Sequence, residues 1–166
     1  MLPHCECASE MIRLNVPGYN ELSLRHVVLD YNGTLARDGR LLDGVSNSLS
    51  KVGECLELHV VTADTFGLVK SGMKGIRCRL SVLTQESQAE AKRQYVRNLC
   101  SSQTVAIGNG RNDQLMIKEA ALGIVVLERE GAAIGTILAA DIVCGSALDA
   151  LELLLNPKRL VATLRY

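Results

Sequence analysis

His26-Val27-Val28-Leu29-Asp30-Tyr31-Asn32-Gly33-Thr34 changes character at its middle. The first half is short, nearly all apolar and rich in β-branched residues, which predicts a strand buried on both faces. The second half offers a carboxylate, an amide, a flexible glycine and a hydroxyl where that strand ends. In an open parallel sheet, ligands bind beyond the carboxyl ends of the strands, so this segment implies both an architecture and a place to look for chemistry.

The same alternation recurs on either side. Toward the N-terminus, Met11 to Val16 and Glu21 to Arg25 flank Pro17-Gly18-Tyr19-Asn20 and read as a β-hairpin. Toward the C-terminus, Val45, Leu49, Val52 and Leu56 stand at helical spacing over Val45 to Glu57. His59 to Thr62 is a second buried strand, and a short helix is expected within Asp64 to Met73. Arg77 to Leu83 predicts a third strand and Glu86 to Leu99 an amphipathic helix. A fourth strand, Thr104 to Ile107, precedes a helix over Asp113 to Ala121. Strand Gly123 to Leu127, helix Ala132 to Ala139, strand Asp141 to Cys144 and helix Leu148 to Leu155 complete the series. Strands and helices taking turns in this way build right-handed βαβ units. The expected fold is α/β: a three-layer αβα, Rossmann-like parallel sheet in a single domain, 1–166. Within it, 1–25 form an N-terminal β-hairpin extension, 26–155 the core and 156–166 a C-terminal helical tail beyond the break at Pro157.

Composition agrees with such a sheet. The 166 residues are 48% hydrophobic but only 3% aromatic, with no Trp and one Phe, so the core is aliphatic. Eighteen Lys and Arg balance eighteen Asp and Glu, which removes any whole-chain electrostatic argument for nucleic acid or an anionic membrane. No apolar run reaches the roughly 18 residues of a bilayer span, and the N-terminus lacks the blocks of a signal peptide, so a cytoplasmic protein is expected. In a reducing compartment the scattered cysteines Cys55, Cys78, Cys100 and Cys144 read as small buried hydrophobes. His4-Cys5-Glu6-Cys7 lacks a second ligand pair at zinc spacing and reads as an unliganded terminus.

Three strand ends carry polar residues: Asp30 to Thr34, Thr62-Ala63-Asp64, and Gly108-Asn109-Gly110-Arg111-Asn112-Asp113. Each alone is an ordinary helix cap or turn; three at one rim favour a site. Lys92 shares a helix face with Val96 and Leu99. A lysine on an apolar stripe usually snorkels to water, but near the start of a helix packed on the sheet its ammonium can reach the rim and meet an anion there.

These residues carry a resemblance. VVLDYNGTL is similar to the first motif of the haloacid dehalogenase (HAD) superfamily of phosphohydrolases, hhhDxDGT. Thr62, Lys92 and GNGRND resemble the second, third and fourth motifs in order and spacing. Within the superfamily the strings resemble those of soluble proteins akin to the phosphorylation domain of P-type ATPases. The resemblance implies that Asp30 is a nucleophile that becomes an aspartyl phosphate. It implies that Thr62, with backbone amides near Asn32, Gly33 and Ala63, holds phosphoryl oxygens, and that Lys92 neutralises their charge. It implies Mg²⁺ bound by Asp30, the main-chain carbonyl of Asn32, and Asn109 or Asp113.

Two positions depart from the pattern. Asn32 replaces the Asp that serves as general acid and base, a function worth roughly 10² to 10⁴ in rate. Asn109 replaces an acidic metal ligand, so the site loses a negative charge. The expected function is a slow Mg²⁺-dependent phosphatase; the alternative is a regulatory or binding protein that forms or mimics an aspartyl phosphate. The segments between the motifs are long enough only for βα units, leaving no cap domain. The substrate expected is therefore a small or macromolecular phosphate, with a second copy of the chain as a possible cover for the open rim.

Overall fold

The computed structural model describes residues 11–64, 66–84 and 86–166. The His4-Cys5-Glu6-Cys7 reading lies outside them. Strands β1 (Ile12–Asn15) and β2 (Glu21–Leu24) pair antiparallel, with Ile12 opposite Leu24, as the hairpin reading required. Six strands then build one parallel sheet: β3 (His26–Leu29), β6 (Glu57–Thr62), β7 (Arg79–Val82), β8 (Thr104–Gly108), β9 (Leu122–Val126) and β10 (Ile142–Cys144). Their spatial order is β10-β9-β8-β3-β6-β7, so β3 lies in the middle between β8 and β6. Val27, Val28 and Leu29 are fully buried, as a strand covered on both faces demands.

Alternate residues of β3 face opposite layers. Val27 and Leu29 join the larger core with α1 (Val45–Cys55), α2 (Val69–Gly72), α6 (Ala147–Leu155) and the N-terminal hairpin. Val28 points to the other face and packs with Val61, Ala106 and Val125 beneath α3 (Gln88–Leu99), α4 (Gln114–Glu119) and α5 (Ile134–Ala139). Each buried Val or Leu contributes roughly 1.5–3 kcal/mol, so an aliphatic sheet with helices on both faces needs little aromatic surface. The tail forms α7 (Pro157–Leu164), with Pro157 in its first turn, where a missing amide hydrogen costs nothing. It runs back to the hairpin, and the Tyr166 amide donates to the Pro17 carbonyl at 3.0 Å.

Local readings shift at several places. The helix expected from Glu86 starts at Gln88, after Ser87 adopts the left-handed conformation at φ 56°. The helix expected within Asp64 to Met73 is only the short α2, because Asp64 first accepts the Val69 amide at 3.1 Å and closes a loop. A second hairpin was not anticipated: β4 (Ala36–Arg37) pairs antiparallel with β5 (Arg40–Leu41) across Asp38-Gly39. Both turn residues have positive φ, 51° and 77°, the requirement that makes Asp-Gly a strong hairpin signal.

Candidate active site

The carboxyl ends of β3, β6 and β8 lie side by side, so Asp30, Thr62 and Asn109 share one rim. Lys92, from α3, joins them. Its side chain is fully buried, and its Nζ donates to Asp30 Oδ1 and Asp113 Oδ1, both at 2.6 Å. The lysine therefore does not snorkel; it is held between two carboxylates, and those two charges are what make its burial tolerable. Burial opposes its charge, but Asp113 and Asp30 outweigh that and hold its pKa above the ordinary lysine value. Burial, then Asp113, push the Asp30 carboxyl up to about 7, against the pull of Lys92.

Asp113 is placed by its own loop. Its Oδ2 accepts the amides of Asn109 at 3.0 Å and Gly110 at 2.9 Å, so the GNGRND segment closes on itself and leaves Oδ1 for Lys92. Gly108 is obligatory here, since a Cβ at that position would lie 2.5 Å from Asp113 Cγ. Asn109 is oriented as well. Its Nδ2 donates to the Gly131 carbonyl at 3.0 Å, which turns Oδ1 toward Thr34.

The Thr34 hydroxyl has one hydrogen and two acceptors, Asp30 Oδ2 at 3.4 Å and Asn109 Oδ1 at 3.3 Å. Oxygens that converge with too few hydrogens between them form a donor set suited to a hard divalent cation. Asp30 and Asn109 thus fit a divalent metal ion. Asp113, with one oxygen on Lys92 and the other on two amides, acts first as the brace for the lysine.

Asn32 and Gly33 do different work from what their motif positions suggest. The Asn32 Oδ1 accepts the Gly39 amide at 3.1 Å, while the Tyr31 hydroxyl donates to the Gly39 carbonyl at 3.1 Å. The two residues after Asp30 therefore clamp the tip of the β4–β5 hairpin beside the site. The Gly33 amide donates to the Ala36 carbonyl at 2.7 Å and so serves the loop. What Gly33 gives the site is space: φ is 81°, and a Cβ there would lie 2.7 Å from Asn109 Nδ2 and 2.7 Å from Glu130 Oε2. Thr62 closes β6 and Ala63 follows it, and the Thr62 hydroxyl accepts the Asp64 amide at 3.1 Å.

The structure adds residues that the motifs do not name. A small pocket opens beside Gly33, lined by Ala36, Arg37 and Leu42 on one side and by Glu128, Arg129 and Glu130 on the other. Glu128 accepts the Ala147 amide at 2.6 Å at the start of α6, which anchors that wall. The Asp38-Gly39 signal could have revealed the first wall; the second comes from the loop after β9 and has no local signature.

Comparison with known proteins places the fold. The fold is that of the HAD superfamily. The chain is similar to a 3-deoxy-D-manno-octulosonate 8-phosphate phosphatase of Moraxella catarrhalis, whose crystal structure is a complex with magnesium, phosphate and KDO. The TM-score is 0.62 at 20% identity, over 86% of this chain and 94% of that one. The cobalt-bound form of the Haemophilus influenzae phosphatase of the same name gives 0.68 at 15% identity, over 82% and 90%. A haloacid dehalogenase-like family hydrolase of Streptococcus pneumoniae gives 0.57 at 11%, over 78% and 97%. No protein-family model matches the sequence. In sequence the chain is 57% identical over 61 residues to the uncharacterized protein MJ0073 of Methanocaldococcus jannaschii, spanning 37% of this chain and 66% of that protein. It is 41% identical over 39 residues to the uncharacterized protein MJ0072 of the same organism, 24% of this chain and 89% of that protein. The chain belongs to one family with MJ0072. Among the described residues, no helix is long and apolar enough to cross a membrane.

Proposed function

We propose that this chain is a slow Mg²⁺-dependent phosphohydrolase that works through an aspartyl phosphate on Asp30. The observation that carries the reading is the buried Lys92 held between Asp30 and Asp113 at the carboxyl end of the central strand. A motif-like sequence could arise by chance, whereas a fully buried ammonium joined to two carboxylates needs a reason to be there.

In the reaction an Asp30 oxygen bonds to phosphorus as the bond to the leaving oxygen breaks. Water then attacks the aspartyl phosphate and releases phosphate. Lys92 fixes the rotation of the Asp30 carboxylate and offsets negative charge on the phosphoryl oxygens. Asp30, Asn109 and the Asn32 carbonyl would hold the cation, which supplies further charge neutralisation, with Asp113 bracing the lysine. Thr62 and the Ala63 amide border the phosphoryl position from β6. Asn32 carries no group that can give up and take back a proton as an acid or base near neutral pH, so leaving groups that need none, aryl and acyl phosphates, suit this site.

Purified protein with Mg²⁺ should hydrolyse an aryl phosphate slowly, and Asp30→Asn should remove the activity. Unchanged activity in that variant would assign the nucleophile elsewhere. The regulatory alternative rests on the same amide, which takes away the group that would hasten hydrolysis of the phosphoaspartate. It predicts an Asp30 adduct that outlives many turnovers of an ordinary phosphatase.

A further inference from the structure

At the opposite end of the sheet from Asp30, β3 and β6 begin side by side, and their register sets His26 against Glu57 and Val28 against His59. That pairing gathers three ligand-type side chains. His59 Nε2 lies 3.3 Å from His26 Nδ1, Glu57 Oε2 lies 3.5 Å from His26 Nδ1, and His59 Nε2 lies 3.9 Å from Glu57 Oε2. A tetrahedral zinc with ligands at about 2.0–2.1 Å separates them by roughly 3.3 Å, so three corners of such a site are nearly in place. A fixed orientation is also present. The His59 side chain is fully buried, and its Nδ1 meets the Tyr95 hydroxyl of α3 at 3.0 Å, leaving Nε2 aimed at the other two groups. A hydrogen-bond partner on the far ring nitrogen is the usual companion of a metal-binding histidine. His26 is 12% exposed and Glu57 38%, so the open corner faces solvent, from which an ion and a water ligand can enter.

We propose that His26, Glu57 and His59 form a binding site for a borderline divalent cation of the Zn²⁺ type, with water as the fourth ligand and Tyr95 as the positioning residue. Two imidazoles and one carboxylate favour Zn²⁺ over Mg²⁺, whereas the all-oxygen donors around Asp30 also suit a hard cation such as Mg²⁺. The two sites are thus separated both by the length of the sheet and by ligand chemistry. Arg25 and Arg79 are the other charged groups near the cluster, both acting on His26; Arg79 Nη2 lies 4.0 Å from Glu57 Oε2, and its side chain is 74% exposed and can swing away. The metal would tie together the amino-terminal ends of two neighbouring central strands and stabilise the sheet there.

The test is a Co²⁺ and Zn²⁺ titration of the full chain with Cys5→Ser and Cys7→Ser, which removes the competing N-terminal thiols. One equivalent should bind with tetrahedral Co²⁺ d–d bands whose intensity excess Mg²⁺ does not lower, and no thiolate charge-transfer band should appear. Loss of a partner beyond the ligands costs about 10- to 100-fold in metal affinity, so Tyr95→Phe should weaken binding by that factor. His26→Gln and Glu57→Gln, each at a partly exposed position, should weaken it further, and Asp30→Asn should leave it unchanged. Zn²⁺ should raise the Tm of the parent chain but not of His26→Gln. A thiolate band, absence of stoichiometric binding, or full affinity in both His26→Gln and Glu57→Gln would overturn the proposal.

Discussion

Lys92 is the residue on which the site depends most. Replacing it with Met would leave Asp30 and Asp113 facing each other in a buried space without a cation, and losing one partner of a buried ion pair costs about 3–5 kcal/mol. Urea unfolding of Lys92→Met should show a loss of that order, and activity should vanish with it. Asn32 behaves differently, because its structural task is to accept the Gly39 amide, which a carboxylate does equally well. Asn32→Asp should therefore fold normally and raise kcat on alkyl phosphates by about 10²-fold, the lower end of what general acid-base help supplies. An unchanged kcat would mean that proton transfer does not limit the reaction. Asp30, Asn109 and Lys92 could be placed near one rim from the sequence because they follow apolar strands or sit on a helix face, while their roles and that of Asp113 came with the resemblance carried by the motifs. The work done by Asn32 was not, since its partner Gly39 belongs to a hairpin that the reading of the chain passed over.

At the scale of elements, the N-terminal hairpin is docked by few polar contacts. The Tyr19 hydroxyl, at its turn, donates to Asp141 Oδ1 at 2.8 Å, and Asp141 Oδ2 accepts the Gly123 amide at 2.7 Å. Partial burial, then the Asp141 carboxylate, raise the Tyr19 pKa to about 12. With the folded value above the ordinary 10, this contact stabilises the fold fully below pH 10 and is lost as pH rises toward 12. Urea unfolding should show stability falling across that window, and Tyr19→Phe, at a cost of about 1 kcal/mol, should remove this contribution to the fall. The hairpin itself was readable from Pro17-Gly18 and its flanking strands. Its docking was not, because Tyr19 and Asp141 are 122 residues apart. The same reason hides the second wall of the pocket, Glu128 to Glu130, and the meeting of His26 with Glu57, which follows from strand register alone.

For the molecule as a whole, the central position of β3 explains why one segment revealed so much. A strand with a neighbour on each side places its carboxyl end beside two others, so residues read locally from three strand ends become a single rim. Among the described residues, the β4–β5 hairpin and the loop after β9 border that rim. Chelation with EDTA should abolish hydrolysis and added Mg²⁺ should restore it, since Lys92 alone cannot offset the charge of Asp30, Asp113 and a phosphoryl group. The central claim is that the phosphoryl group passes through Asp30. Incubation with Mg²⁺ and acetyl phosphate, followed by rapid acid quench and peptide mass mapping, tests it most directly. The account predicts a phosphate mass on the peptide that contains Asp30, absent from Asp30→Asn; phosphate release at the same rate by wild type and Asp30→Asn, with no adduct on that peptide, would contradict it.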